Sequence, residues 1–522
     1  MRHRIGLVYL PGALPCFEGF GNLPTDVVCE DGLVAGKKSS EVLDMLIVPG
    51  GSLVESQTVK QGILREILKM ADAGKFVLGI CSGFQILSKG TDIGRLSSTP
   101  IIREGIGLLD VEFKPLICTD QVRATVIDKS YLTEKVNAEV AGFHCHTYGK
   151  ITIGKSAKPI LASHTKRLNY RKDEQTLISG VTNKEGNVIG VMIHALLDQN
   201  PLIIEGITKS LDINAKELRN IRAKNAKLQR AIKSEVGIST NIKLKNQKSK
   251  KLQNVHLLLV TALGSGAGKT FVVTGLAAAL KKRDYNVGVL KIGGDIRDLV
   301  PSLYLIKEPM HAYSSIKIGG SGWKPVFDAV DEAKKDYNLL IVEGAMSAFT
   351  GLLMDKAERP SSTAEVAAVL DASTVVVVGC DKEGVEGALV NTLNYVKLMK
   401  KLGVNVKGVI FNKIRMSYLT EEIYSLLKQT LKNAGVEVVC LVPRVDLEGR
   451  GAIPEVEIKY EEFGGKALQT AEQHLDIDKI VALATQPKKK TVDYLAFSEK
   501  FKSALAEDYS FKKLAEETEE KC

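Results

Sequence analysis

Nowhere in the chain do eighteen apolar residues follow one another, so the sequence offers no membrane-spanning helix. The opening "MRHRIGLVYLPGALP" reads as a strand followed by a turn rather than a secretory leader. No CxxC or HExxH motif is present, which removes the usual ready-made zinc frameworks. The eight cysteines fall without regular spacing, as expected of free thiols in a reducing, cytoplasmic setting. A general basic surplus is also missing. Between residues 206 and 251 thirteen Lys/Arg face three Asp/Glu, and this one segment accounts for the whole net charge of +10. Such local charge reads as a solvated linker, so neither nucleic acid nor a membrane is an expected partner.

What is present is an ordinary globular composition, 44% hydrophobic and 25% charged, over 522 residues, too many for one core. Residues 1–205 alternate short apolar runs ("RIGLVYL", "LDMLIVPGG", "KFVLGICSG", "GNVIGVMIH") with helical or turn-rich pieces. Residues 255–460 repeat the theme with "HLLLVTA", "NVGVLKI", "NLLIVEG", "STVVVVG", "VKGVIFN" and "VEVVCLVP". Continuous apolar runs of this kind mark a parallel sheet covered on both faces. The predicted fold class is therefore α/β, with two doubly wound domains. They are joined by a basic helical linker (206–254) and followed by a charged helical extension (461–522).

In the linker, Leu211, Leu218, Ile221, Leu228 and Ile232 form a heptad-like stripe interrupted by Asn214 and Asn225. A stripe so short and so interrupted favours docking on a neighbouring domain, with a homodimer as the alternative. The lysine-rich stretch after it has no apolar period and is expected to be mobile.

"GICSGFQ" (79–85) places Cys81 in a GxCxG turn between an apolar strand and a helix. This is the setting of a nucleophile elbow, where the helix start favours a thiolate. "VPGGS" (48–52) offers the backbone N–H groups of Gly50 and Gly51 for an oxyanion, and His194 ends another strand. "FHCHTYGK" (143–150) sets His144, Cys145 and His146 side by side. Read as a strand, it turns the histidines to one face and Cys145 to the other, which argues against a metal held by these three.

These segments resemble, in order and over nearly all of residues 1–205, the class I glutamine amidotransferase domain of the cobyric acid synthase family. "GIGLLD" (105–110) matches the family's "GLGLL", and "GNVIGVMIH" its "GNVxGxxxH". Most class I amidotransferases place a glutamate two residues after the histidine. Leu196 stands there instead, as in the cobyric acid synthase branch, which implies a Cys81–His194 dyad. "GFHCHTYG" aligns with a family segment near the glutaminase site that makes His146 the family histidine, a polar wall of the glutamine pocket or of the domain interface, and His144 stands where the family tends to have glutamate.

"HLLLVTALGSGAGKTFVVTGLAAAL" is strand, glycine-rich loop, GKT and helix, although Leu263 replaces the first glycine of the strict pattern. Backbone groups of Gly264, Ser265, Gly266, Ala267 and Gly268 would cradle ATP phosphates. Lys269 would neutralise them, and the Thr270 hydroxyl would reach Mg²⁺. Downstream residues resemble the dethiobiotin synthetase-like P-loop family that includes cobyrinate a,c-diamide synthase. That resemblance implies Lys291 and Asp298 near phosphate and acceptor, Asp295 and Glu343 as metal carboxylates, and Asn412 on the adenine. Gly264 occupies the place of the signature lysine of partition ATPases.

The resemblance implies ATP- and glutamine-dependent amidation of a carboxylate, with a tetrapyrrole as the suspected acceptor. The family's domain order is reversed here, and "LVPSLYLIKEPMHAYSSIKIGGSGW" after Asp298 departs from its pattern. Two alternatives stand beside this reading: amidation of another carboxylate, and a nucleotide-switched regulatory or scaffold protein with a silent glutaminase domain.

Overall fold

A computed structural model describes residues 2–8, 18–52, 59–237, 254–353, 359–447 and 458–508. Compactness divides the chain into two units. The first comprises Met1–Ser239, Ile296–His311 and Leu447–Phe463; the second comprises Thr240–Asp295, Ala312–Asp446 and Gly464–Cys522.

The first unit is built on a sheet of nine described strands. One half is parallel: Val188–Val191, Phe76–Ile80, Met45–Val48, Ile5–Val8 and Asp26–Val28 lie side by side. Four of these five are buried nearly throughout, the counterpart of their unbroken apolar sequence. The other half is antiparallel and dominated by a long hairpin, Ala157–Leu168 with Arg171–Asn183. The sheet is thus mixed rather than parallel throughout. The hairpin's tip, "KRLNYRKDEQ", is polar and mostly exposed apart from the buried Leu168, so no buried run announces it.

Register places the chemistry. Val48 pairs with Gly79 and Val191 with Ile80, so three adjacent parallel strands end at one edge of the sheet. Gly50, Cys81 and His194 each lie one to three residues beyond those ends. A crevice at the carboxyl ends of parallel strands is where open α/β sheets carry their ligands.

The helix Ala215–Glu235 belongs to this unit by its packing. Ile221 and Ile232 are buried, the Asn225 amide donates to Pro24 O at 2.8 Å, and Lys224 pairs with Asp26 at 2.9 Å. Docking is what the stripe does. Its membership differs from the heptad reading, because the helix lies on the unit in straight i, i+4 steps from Glu217 through Ile221 to Asn225. Asn214 is the N-cap, accepting from Glu217 N, and Leu218 is only half-buried. The lysine-rich stretch after it lies outside the described residues.

The second unit holds a sheet of seven described strands, every neighbouring pair parallel. The six apolar runs read from the sequence form His256–Ala262, Val287–Ile292, Leu339–Ser347, Ser373–Gly379, Val406–Ile414 and Val438–Pro443. The helix Lys269–Lys282 is buried from Val272 to Leu280, as its apolar sequence requires of a helix covered on all sides. Thr363–Leu370 begins with a capping box, in which Ser362 and Glu365 satisfy one another. The C-terminal helix Tyr494–Asp508 is packed, burying Phe497 and Phe501. No helix among the described residues is long and apolar enough to cross a membrane.

Candidate active sites

In the first unit Cys81 caps the six-residue helix Ser82–Leu87 with φ of 51° and ψ of −109°. That backbone turns the side chain out of the sheet edge. The two flanking glycines of GxCxG make the turn sterically feasible. A Cβ on Gly83 would lie 2.0 Å from Val48 O, and one on Gly79 would lie 2.8 Å from Gly83 O. Gly50 is equally constrained, since a Cβ there would sit 2.8 Å from the His194 ring. The glycine allows the loop at Gly50 and Gly51 to close over Cys81 and His194.

His194 has Cys81 on one side, the two lining the same pocket. On the other, its Nδ1 lies 2.7 Å from Glu18 Oε1, and both side chains are almost fully buried. Burial opposes charge on the imidazole, but Cys81 and Glu18 outweigh it and raise His194 to about 10. The arrangement sets a thiol beside an imidazole with a carboxylate behind it. The expected dyad is therefore a triad.

Glu18 reaches His194 from a turn 176 residues away in sequence. Asp198 fixes that turn by accepting from Gly19 N at 2.8 Å and Gly21 N at 2.7 Å. Leu196, at the position where other amidotransferases carry the glutamate, is buried at 0% exposure in the core. Nothing in local spacing marks Glu18; an acidic residue in a glycine-bracketed turn after the first strand was the only available sign.

A pocket opens beside Cys81, lined among others by Gly51, Ser52, Gln85, His146, Thr147 and Arg297. Arg297 is 1% exposed and donates to Thr147 Oγ1 at 2.9 Å and to the Tyr170 hydroxyl. It arrives on Ile296–His311, the segment that packs in the first unit although its sequence lies within the second half. This is where the sequence departed from the P-loop family pattern, and Asp298 lies on the same segment. His146 is buried, with Nδ1 3.2 Å from Leu116 O, and burial depresses its pKa to about 3. The strand expected over 143–150 ends at Phe143. The chain continues irregularly, bridged at His146 to Cys118 and at Tyr148 to Leu116.

In the second unit the glycine-rich loop runs from the strand His256–Ala262 into the helix at Lys269. Gly268 has φ of 84°, and a Cβ there would lie 2.2 Å from Asn412 Nδ2. Register brings Lys291 and Val260 level with Glu343 on the strand between them. Glu343 Oε1, fully buried, accepts from Thr270 Oγ1 at 2.8 Å and Lys291 Nζ at 3.1 Å, with Lys269 Nζ at 4.0 Å. Asn412 donates to Ala267 O at 2.9 Å, so the contact it makes is with the phosphate loop. Lys413 also holds that loop, through Gly266 O at 2.7 Å. Asp295 lies in this unit, directly before Ile296.

Residues 27–202 match the model of the CobB/CobQ-like glutamine amidotransferase domain, and residues 258–451 that of the CobQ/CobB/MinD/ParA nucleotide binding domain. The chain carries a CobB/CobQ-like glutamine amidotransferase domain followed by a nucleotide-binding domain. Similar proteins include the cobyric acid synthase of Clostridium botulinum (strain Alaska E43 / Type E3). It is 32% identical over 162 residues, covering 30% of this chain and 30% of that protein. Those of Thermoanaerobacter sp. (strain X514) and Alkaliphilus metalliredigens (strain QYMF) are 33% and 32% identical over 173 and 196 residues. These matches cover 31% and 36% of this chain and 33% and 37% of the relatives. The chain thus spans about a third of the length of the curated relatives it matches.

Within the amidotransferase domain, Glu18 gives the next test. Glu18→Gln is expected to lower kcat for glutamine hydrolysis by about 10²- to 10⁴-fold, because the imidazole loses its orienting carboxylate. The carboxylate also raises His194, so the alkaline limb of the kcat/KM profile should move to lower pH. An unchanged pH profile would mean that Glu18 only supports the fold.

Proposed function

We propose that this protein amidates a carboxylate of a corrin or related tetrapyrrole, with glutamine as nitrogen donor and ATP as activator. The observation that most supports this reading is the buried Cys81–His194–Glu18 triad, in one chain with a phosphate loop whose Lys269 and Thr270 face Glu343.

Cys81 gives its proton to His194, and the sulfur attacks the glutamine carboxamide carbon. Backbone N–H groups of Gly50 and Gly51, with that of Ser82 at the helix start, would receive the developing oxyanion. His194 returns the proton to the departing ammonia, and water then cleaves the thioester to glutamate. Arg297, at the pocket wall, pairs with the α-carboxylate of glutamine. Arg297→Met is accordingly expected to raise KM for glutamine by about 10- to 100-fold with a smaller change in kcat. Equal losses in both parameters under steady-state assay would remove that role.

In the nucleotide-binding domain the loop from Gly264 to Gly268 receives the ATP phosphates, and Lys269 and Lys291 offset their charge. Thr270 Oγ1 and the Glu343 carboxylate are hard oxygen donors 2.8 Å apart, a pair suited to Mg²⁺. The chemistry Mg²⁺ would supply there, held by Thr270 and Glu343, is positive charge to offset that of the transferring phosphoryl group. Its transfer to the acceptor carboxylate gives an acyl phosphate. Ammonia then displaces phosphate and leaves the amide. Asp295 remains a further carboxylate for the metal, Asp298 for the acceptor, and Asn412 for the adenine.

The departure of the stretch after Asp298 from the family pattern favours one second reading, amidation of a different small-molecule carboxylate by the same steps. Mass spectrometry of candidate tetrapyrroles after incubation with ATP, Mg²⁺ and glutamine separates the two. Exchange of OH for NH₂ on a tetrapyrrole supports the first reading. ATP-dependent glutamate release with no change in any tetrapyrrole moves the acceptor elsewhere, and no glutamate release at all overturns both.

A further inference from the structure

His144 is 1% exposed, and neither of its ring nitrogens has a hydrogen-bond partner among the described residues. A buried imidazole left in this state loses its solvation uncompensated unless something else contacts it. Its surroundings show what that would be. Cys118 and His146 form an antiparallel bridge, each N–H donating to the other's carbonyl at 3.0 Å, so their side chains stand on one face. His144 lies two residues before His146 and donates its N–H to Asp120 O at 2.8 Å, which continues the register and returns its ring to the same face.

The donor atoms of Cys118, His144 and His146 all lie within 4.8 Å of one another, and all three residues are buried. His146 Nδ1 must be the protonated nitrogen, since it faces the carbonyl of Leu116 at 3.2 Å. That leaves Nε2 with its lone pair, the tautomer a backbone carbonyl imposes on metal-bound histidines. Space for the ring is provided by Gly149, where a Cβ would lie 1.9 Å from His146 Cε1. The sequence argument against a metal concerned Cys145 as third ligand. Cys118, brought across the bridge, takes that place.

We propose that Cys118, His144 and His146 bind one divalent transition-metal ion of the zinc type. One thiolate and two imidazoles form the borderline-soft set that Zn²⁺ prefers, and three protein ligands leave a fourth position for water or another donor. On binding, the Cys118 thiol releases its proton to solvent. The ion would pin the irregular segment after Phe143, which carries Thr147 and His146 into the wall of the Cys81 pocket.

The test uses the full chain, stripped with a chelator and titrated anaerobically with Co²⁺ as spectroscopic probe. One equivalent is expected to give the visible bands of tetrahedral cobalt and a near-ultraviolet thiolate charge-transfer band, both displaced by Zn²⁺. Cys118→Ser should lose the charge-transfer band. His144→Ala should weaken binding by more than about 100-fold, while Cys81→Ala and Cys145→Ser should keep the wild-type spectrum. Circular dichroism checks that each variant is folded. Absence of a stoichiometric spectrum in the wild-type protein overturns the proposal without recourse to any variant. A thiolate band lost in Cys81→Ala but kept in Cys118→Ser overturns it too, by moving the ion to the glutaminase triad.

Discussion

Cys81→Ala is expected to reduce glutamine-supported amide formation and glutamate release by at least about 10⁴-fold, while amide formation with added ammonium salt continues. The expectation follows from the position of Cys81. It lies at an elbow in the amidotransferase domain, in one pocket with His194, and takes no part in the cluster around Glu343. Parallel assays with the two nitrogen sources, on the same preparation and acceptor, decide the matter. Equal loss with both would mean that the two halves do not divide the labour as proposed.

Glu343→Gln should fail with either nitrogen source, and so should Lys269→Ala. The glutamine variant should also lose stability. Lys291 is 3% and Glu343 0% exposed at the side chain, and their Nζ–Oε1 distance is 3.1 Å. Removing one partner of such a buried pair leaves the other charge poorly compensated, a loss on the order of 3 kcal/mol. Denaturant titration of the second unit's transition measures it. Adding Lys291→Met to Glu343→Gln should recover part of the stability and none of the synthesis. Wild-type product formation by Glu343→Gln would place the metal carboxylate elsewhere.

The contrast between what was legible in the sequence and what was not follows the range of the interactions. Six of the seven described strands of the second sheet show as unbroken apolar runs because both their faces are buried. The elbow shows because its requirement for Gly79, Cys81 and Gly83 is met within five consecutive positions. Glu18, Cys118 and Arg297 do not show. Each meets its partners through tertiary folding, Glu18 across 176 residues and Arg297 across 150 to Thr147, and no periodicity records such contacts. Asn214 was misread for another reason. A polar residue in a heptad position looks like a flaw in a stripe, whereas its Oδ1 accepting from Glu217 N is what starts the helix.

The φ of 51° at Cys81 has a consequence for how this residue persists. A side chain with a Cβ is disfavoured in that region by roughly 1–3 kcal/mol, a burden that glycine would not carry. Cysteine there makes the folded chain less stable than the same backbone without a side chain. Drift toward greater stability alone would replace it. On the proposed function, the thiol at position 81 is kept only while breaking down glutamine is worth more to the cell than a firmer fold.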